Sequence, residues 1–174
     1  MGQEEKRSHL PKIHQDQEVL TAGEKLEEAK KALDHGYKEI VLTAIDLGTY
    51  GQDLEDTSLS GLISKLLKLK NLYRLRLSSL NPEDIDEDLL EIFRNTNKIC
   101  PHFHISLQSG SNRILKLMNR GYTKEKFKEG VDKLKGIYKN LALTTDVIVG
   151  FPSESEEEFQ ETYDFCKEVG FSKI

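Results

Sequence analysis

Cysteine is scarce in this sequence: only Cys100 and Cys166 occur, far apart along the chain. That spacing rules out a local CxxC-type metal or redox motif and argues against a disulfide framework, so both read as reduced packing thiols. Long apolar runs are also lacking. Nothing approaches the roughly 20 consecutive apolar residues of a membrane span, and the opening MGQEEKRSHLPKIHQDQ has no apolar stretch of the signal-peptide kind. The expectation is therefore no membrane and a cytoplasmic location. A positive surplus is missing as well, with 25 Lys and Arg against 30 Asp and Glu and a formal net charge of −5. This argues against non-specific nucleic-acid binding, which normally shows a basic stripe. Any RNA contact must be local or lie outside this chain.

What is present is one domain's worth of patterned sequence. Residues 1–17 are polar and show no apolar period, and they read as a flexible arm that need not be native to the domain. Residues 18–174 read as the domain proper. From about Val19 the spacing of Leu26, Ala29 and Leu33 predicts a helix ended by Gly36, followed by the strand KEIVLTAID. A helix from about Ser58 carries Leu62, Leu66 and Leu69, and YRLRLSSL then reads as a strand. Asn81-Pro82-Glu83-Asp84 predicts a helix start leading through Leu89, Leu90 and Phe93 to the strand HFHISLQ. A short helix over Asn112–Met118 and a longer one opened by Thr123 precede the strand LALTTDVIVGF. The last helix is expected to start with Ser153 and Glu156 in capping-box relation, burying Phe159, Thr162, Cys166 and Val169. Strand and helix alternate at the length of a βαβ crossover, roughly thirty residues or more, which predicts α/β with a parallel sheet.

The strands are not the continuous apolar runs of a sheet buried on both faces. In HFHISLQ, Phe103, Ile105 and Leu107 share one face while His102, His104, Ser106 and Gln108 share the other. Arg74, Arg76 and Ser78 oppose Leu75 and Leu77, and Thr144, Asp146, Ile148 and Gly150 fall together on the last strand. A sheet with one solvated face and a barrel with a polar lumen both fit this alternation. The loops at the strand C-terminal ends, TAIDLGTYG, SSLNP, LQSGSN and VGFPSES, are rich in glycine and small polar residues, and α/β folds place their sites there. A third arrangement of the same residues is a metal-dependent hydrolase on a barrel, with His102, His104 and Asp146 as zinc ligands.

Taken together, GYKEIVLTAIDLGTYG, RLRLSSLNPEDI, CPHFHISLQSGSNRILKLMNRGYT and TTDVIVGFPSESEEEFQET resemble the radical S-adenosylmethionine methylthiotransferases, in family order and spacing. LSSLNP and the ID of TAIDLG look more like the branch that acts on threonylcarbamoyl-adenosine in tRNA. The resemblance implies a partial (β/α) barrel with parallel strands, a truncated radical SAM core, with S-adenosylmethionine across the C-terminal strand ends. It implies that Thr43 to Asp46 pass the methionine amino group and that Ser78 and Ser79 line the next strand end. Gln108 and Ser109 fall at the ribose and carboxylate region, Arg120 pairs the methionine carboxylate, and Val149, Gly150 and Phe151 flank the adenine. Simpler roles stand beside these: Arg120 as a helix C-terminal cation, Asp146 as a partner of Arg74 or Arg76, and His102 and His104 as core histidines.

The resemblance breaks at the metal. The family holds its [4Fe-4S] cluster on a CxxxCxxC loop, and this sequence has none. Two distant thiols do not replace three clustered ones. The expectation is a fragment of a tRNA-modifying parent, inactive as this chain. The parent would bring the [4Fe-4S] clusters and would reach tRNA through modules outside this sequence. A non-catalytic fragment that still captures S-adenosylmethionine is the alternative, and exposed sheet edges are expected to favour self-association.

Overall fold

In a computed structural model, the structure describes residues 12–13, 22–44, 46–51 and 57–174. The first strand, β1 (Lys12–Ile13), lies within the stretch expected as an arm and pairs in parallel with Val41 and Leu42; the rest of residues 1–17 lies outside the described residues. A two-residue strand is too short to leave a period in the sequence.

Helix α1 (Ala22–Asp34) buries Ala29 and Leu33 and ends at Gly36, whose φ of +95° supplies the left-handed turn that other residues rarely adopt. Strand β2 (Glu39–Leu42) follows, then α2 (Leu59–Leu67), capped by Ser58 Oγ accepting from the Gly61 amide. Strand β3 (Arg74–Leu77) leads to Asn81 and a single 3-10 turn, Pro82–Asp84. Here the expected helix start divides in two. Asn81 N–H donates to Asp84 Oδ2 at 2.6 Å, but buried Ile85 breaks the turn, and α3 (Glu87–Arg94) begins afresh under the Asp86 cap.

Strand β4 (His102–His104), α4 (Asn112–Leu117), α5 (Lys124–Ile137) capped by Thr123, β5 (Ala142–Thr144) and α6 (Glu156–Val169) complete the order. The cap of α6 is Ser155 with Glu158, two residues beyond the expected Ser153 with Glu156. The buried stripe shifts with it. Phe165 is buried with Thr162 and Val169, whereas Phe159 is 38% exposed.

All strand pairs are parallel, in the order β1-β2-β3 and β4-β5. Parallel bridges Leu75–Ile99 and Leu80–Ile105 join the β3 side to the β4 side, and Thr144–Lys173 adds the segment after α6. The sheet therefore runs in sequence order, as a partial barrel requires. Its apolar face, including Ile40, Leu75, Leu77, Phe103, Ile105, Leu107 and Leu143, is buried in a core shared with the helices. The opposite face carries the polar residues of the alternation. Near the strand N-terminal ends of that face, Glu39 lies opposite Arg74 in register, with its side chain only 10% exposed. It pairs with Arg74 Nε at 2.7 Å and Arg76 Nε at 3.0 Å. Both arginines are thus taken by Glu39 and not by Asp146.

Candidate functional site

The loops after β2 and β3 meet first. Ser78 N–H donates to the Leu42 carbonyl at 2.9 Å, which sets Ser78 beside the start of the Thr43–Asp46 stretch. Asn81 Nδ2 donates to Asp46 Oδ1 at 3.3 Å, joining the two loops through side chains. Asp46 also accepts from the Gly48 amide at 3.1 Å. Asp46, Gly48 and Asn81, together with Glu83, Asp84 and Asp86, line a cleft of about 400 Å³. Thr43 is half-buried and borders a crevice shared with Lys25 and Leu62. Ser79 is half-buried, and Ser78 Oγ is a buried atom with no hydrogen-bond partner among the described residues.

In that cleft the Asp84 carboxyl is pushed up from its ordinary value, first by burial, against the Asn81 amide that lowers it, and then by Asp46, Glu83 and Asp86. A carboxyl raised on folding costs nothing below its unfolded value, where both states are protonated, and costs most above its folded value, where both are ionised. Asp84→Asn removes the charge and keeps an acceptor for Asn81. Because Asp84 keeps contact with solvent, the expected rise in Tm at neutral pH is small, about 1–3 °C. That gain should vanish by about pH 3, below the carboxylate range. Thermal unfolding at the two pH values checks this, and an equal gain at both would refute the electrostatic origin.

The loops after β4 and β5 form the second half. Gln108 sits in left-handed backbone, φ +64°, uncommon for a residue with a side chain. Its N–H donates to the Asp146 carbonyl and its carbonyl accepts from Ile148 N–H, both at 2.9 Å, which brings LQSGSN against VGFPSES. Val149 and Gly150 are exposed and Phe151 is half-buried. Their loop is braced by Glu154, whose Oε2 accepts from Gly150 N–H at 2.5 Å and Phe151 N–H at 3.3 Å. Ser109 does not open onto this surface. It is fully buried, with its hydroxyl 3.2 Å from Thr162 Oγ1 and accepting from Ser111 N–H.

Arg120 is exposed on the loop after α4. The neighbouring Tyr122 is buried and its hydroxyl donates to the Ser106 carbonyl at 2.8 Å, tying that loop to the end of β4. Burial raises the Tyr122 phenol pKa, and the nearby Arg120 charge opposes the shift. Tyr122, Glu154 and Thr162 were not singled out from the sequence as site residues. Their roles consist of contacts to distant backbone, which no local spacing announces.

The three-ligand zinc arrangement does not form. His104 Nε2 lies 3.5 Å from Asp146 and its Nδ1 3.1 Å from Thr144 Oγ1, but among the described residues no group of three or more His, Cys, Asp or Glu converges to hold a metal. The cysteines do not fit an iron–sulfur cluster either. Cys100 is buried, Cys166 lies on α6, and burial pushes both thiols up, away from the thiolate that a cluster requires. A small-molecule ligand with hydroxyl, amino and carboxylate groups fits better. The strand ends offer uncharged hydroxyls, among them the Ser78 oxygen that has no hydrogen-bond partner among the described residues.

A sequence-ordered parallel sheet with helices on one face, and a polar face whose small-residue loops gather at the strand C-terminal ends, defines a partial β/α barrel. Residues 6–166 match the Radical SAM superfamily, and the chain belongs to it. Among curated proteins it is 46% identical over 152 residues to the threonylcarbamoyladenosine tRNA methylthiotransferase MtaB of Bacillus subtilis, covering 87% of this chain and 34% of that protein. It is 43% identical to the protein of the same name from Thermotoga maritima, covering 85% of this chain and 34% of that one. The tRNA-2-methylthio-N(6)-dimethylallyladenosine synthase of Thermoanaerobacter sp. is also 43% identical, with 83% and 31% covered. The chain thus spans about a third of the length of these relatives. Among solved structures, the cobalamin-dependent S-adenosylmethionine radical enzyme OxsB shares the fold, with a TM-score of 0.65 at 16% identity over 84% of this chain and 22% of that one. No helix among the described residues is long and apolar enough to cross a membrane.

Proposed function

We propose that residues 12–174 are the S-adenosylmethionine-binding part of the barrel of a cytoplasmic tRNA methylthiotransferase, six residues longer at the N-terminal side than the expected 18–174 because β1 joins the sheet. Its parent attaches a methylthio group to C2 of a modified adenosine, threonylcarbamoyl-adenosine, and engages tRNA through modules outside this sequence. The observation that carries the reading is the joining of LQSGSN to VGFPSES through the left-handed Gln108, which makes one polar shelf at the strand ends. Sequence identity of 40–46% to tRNA methylthiotransferases supports it.

On this reading Thr43, Asp46, Ser78 and Ser79 receive the amino-acid end of the ligand and Gln108 its ribose. Arg120 balances its carboxylate, and Val149, Gly150 and Phe151 cover the adenine. Ser109 acts one step back, by holding the loop through Thr162. Bound there, S-adenosylmethionine supplies a sulfonium with activated carbon substituents. The [4Fe-4S] ligands are not supplied by this chain, so it holds the molecule without cleaving it.

Isothermal calorimetry of the chain with S-adenosylmethionine should register binding in the millimolar range, weakened by Gln108→Ala. After incubation with a strong reductant, chromatography should recover the ligand intact. Absence of binding heat at millimolar ligand sinks the proposal. Sedimentation velocity on the same preparation tests self-association through the exposed sheet edges, which a clean monomer would refute.

A further inference from the structure

We propose that Arg113 is a positioning residue which, through Glu158, locks the loops after β4 and β5 into one unit and so fixes the shape of the ligand shelf; this rests on the reading of that shelf given above. Arg113 leaves α4 with its fork turned toward the start of α6. Its Nε donates to Glu158 Oε1 at 2.6 Å and its Nη2 to Glu158 Oε2 at 2.8 Å. The same Nη2 donates to the Ser153 carbonyl at 2.6 Å. One side chain therefore grips both the first turn of α6 and the loop preceding it. Ser153 has a φ of +68°, a conformation that a residue with a side chain adopts only where its surroundings hold it, and its carbonyl is the atom Arg113 holds.

Other bonds close the ring. Glu158 also accepts from Ser111 Oγ at 3.3 Å and from Ser155 N–H at 2.9 Å. One helical turn on, Thr162 Oγ1 accepts from Gly110 N–H at 2.9 Å. Residues 109–111 are thus tied to α6 at two positions, while α4 is tied to the VGFPSES loop. The Glu158 side chain is 13% exposed, and its pKa is held at about 2, chiefly by the Arg113 hydrogen bonds. A carboxyl depressed in this way contributes stability that is fully present above its unfolded value, about 4.3, and is lost as pH falls through about 2. The clamp is therefore intact throughout the neutral range. It needs the planar fork as well as the charge, which lysine cannot match.

The test uses the full chain carrying Arg113→Ala, Arg113→Lys or Glu158→Gln, followed by amide hydrogen exchange, urea unfolding and calorimetry with S-adenosylmethionine. Exchange in residues 147–155 and 108–112 should accelerate by about tenfold or more in the alanine variant and less in the lysine variant. Exchange in α5 should accelerate only by the small global loss that a slightly lowered urea midpoint reports, since Arg113 is 53% exposed and its ion pair is screened. Affinity for S-adenosylmethionine should fall in the same rank order. Acceleration in one loop alone, in neither, or no greater than that of α5 overturns the proposal. A wild-type chain that binds no S-adenosylmethionine overturns the ligand reading, and the exchange pattern then decides the clamp by itself.

Discussion

Phe103→Ala lowers the unfolding free energy by about 3–5 kcal/mol. Phe103 occupies the middle of β4, 1% exposed, between two rings. The Phe93 centroid is 5.3 Å away and that of Tyr138 5.8 Å, and Phe93 and Tyr138 also face each other at 6.5 Å. Truncation removes the ring that makes the two shorter contacts of this triangle and leaves a void lined by two rigid aromatics that cannot collapse into it. The Tyr138 hydroxyl is buried without a hydrogen-bond partner among the described residues, and burial, with a smaller contribution from Cys100, pushes its pKa up to about 12. Since domains of this size are stable by only about 5–15 kcal/mol, the variant should populate unfolded chain at modest denaturant. Urea unfolding with an unchanged slope and a lowered midpoint is the expected record, and a loss below about 1 kcal/mol would contradict the packing argument.

Two glycine-to-alanine changes should have opposite signs. At Gly110 an added Cβ would stand 2.7 Å from Thr162 Cα, 3.0 Å from Phe165 Cβ and 3.2 Å from the Glu161 carbonyl. Two of those neighbours are helix backbone, so α6 as a whole must shift, and the Gly110 N–H bond to Thr162 weakens with it. The expected cost is about 1–3 kcal/mol. At Gly136, near the end of α5, an added Cβ meets nothing within 4 Å, and alanine should stabilise the helix by about 0.5–1 kcal/mol. Denaturation of the pair alongside wild type checks both. If Gly110→Ala proves neutral, the close seating of the LQSGSN loop on α6 is wrong.

Much of this fold could be read locally. Ser58 and Thr123 cap the helices their positions predict, Gly36 ends α1, and the alternation in HFHISLQ divides buried from half-exposed residues as expected. Each of these depends on residues a few positions apart. The misplaced helix start in PSESEEEF shows where such signals fail. Ser153 with Glu156 and Ser155 with Glu158 are equally good capping pairs by spacing. The choice fell to Arg113, forty-five residues from Glu158, together with the burial of Phe165 in place of Phe159. The turn at Asn81–Asp84 fails differently: its capping chemistry is real, but buried Ile85 stops it after one turn.

The site divides along the same line. By itself, the sequence determined which loops carry its chemistry, because glycine and small polar residues cluster at each strand's C-terminal end, and it determined that no cluster-binding cysteine loop is included. It also determined the polar side of the sheet, since alternation reports the face a residue occupies. Only the tertiary structure decided the height at which polar residues meet. Register sets Glu39 opposite Arg74 and leaves Asp146 beside His104, and the docking of α6 turns Ser109 inward to Thr162 while Gln108 takes the strained position between the two loops. Face follows from a period of two along a single strand, whereas height follows from the pairing of strands and the seating of helices that lie far apart in the chain.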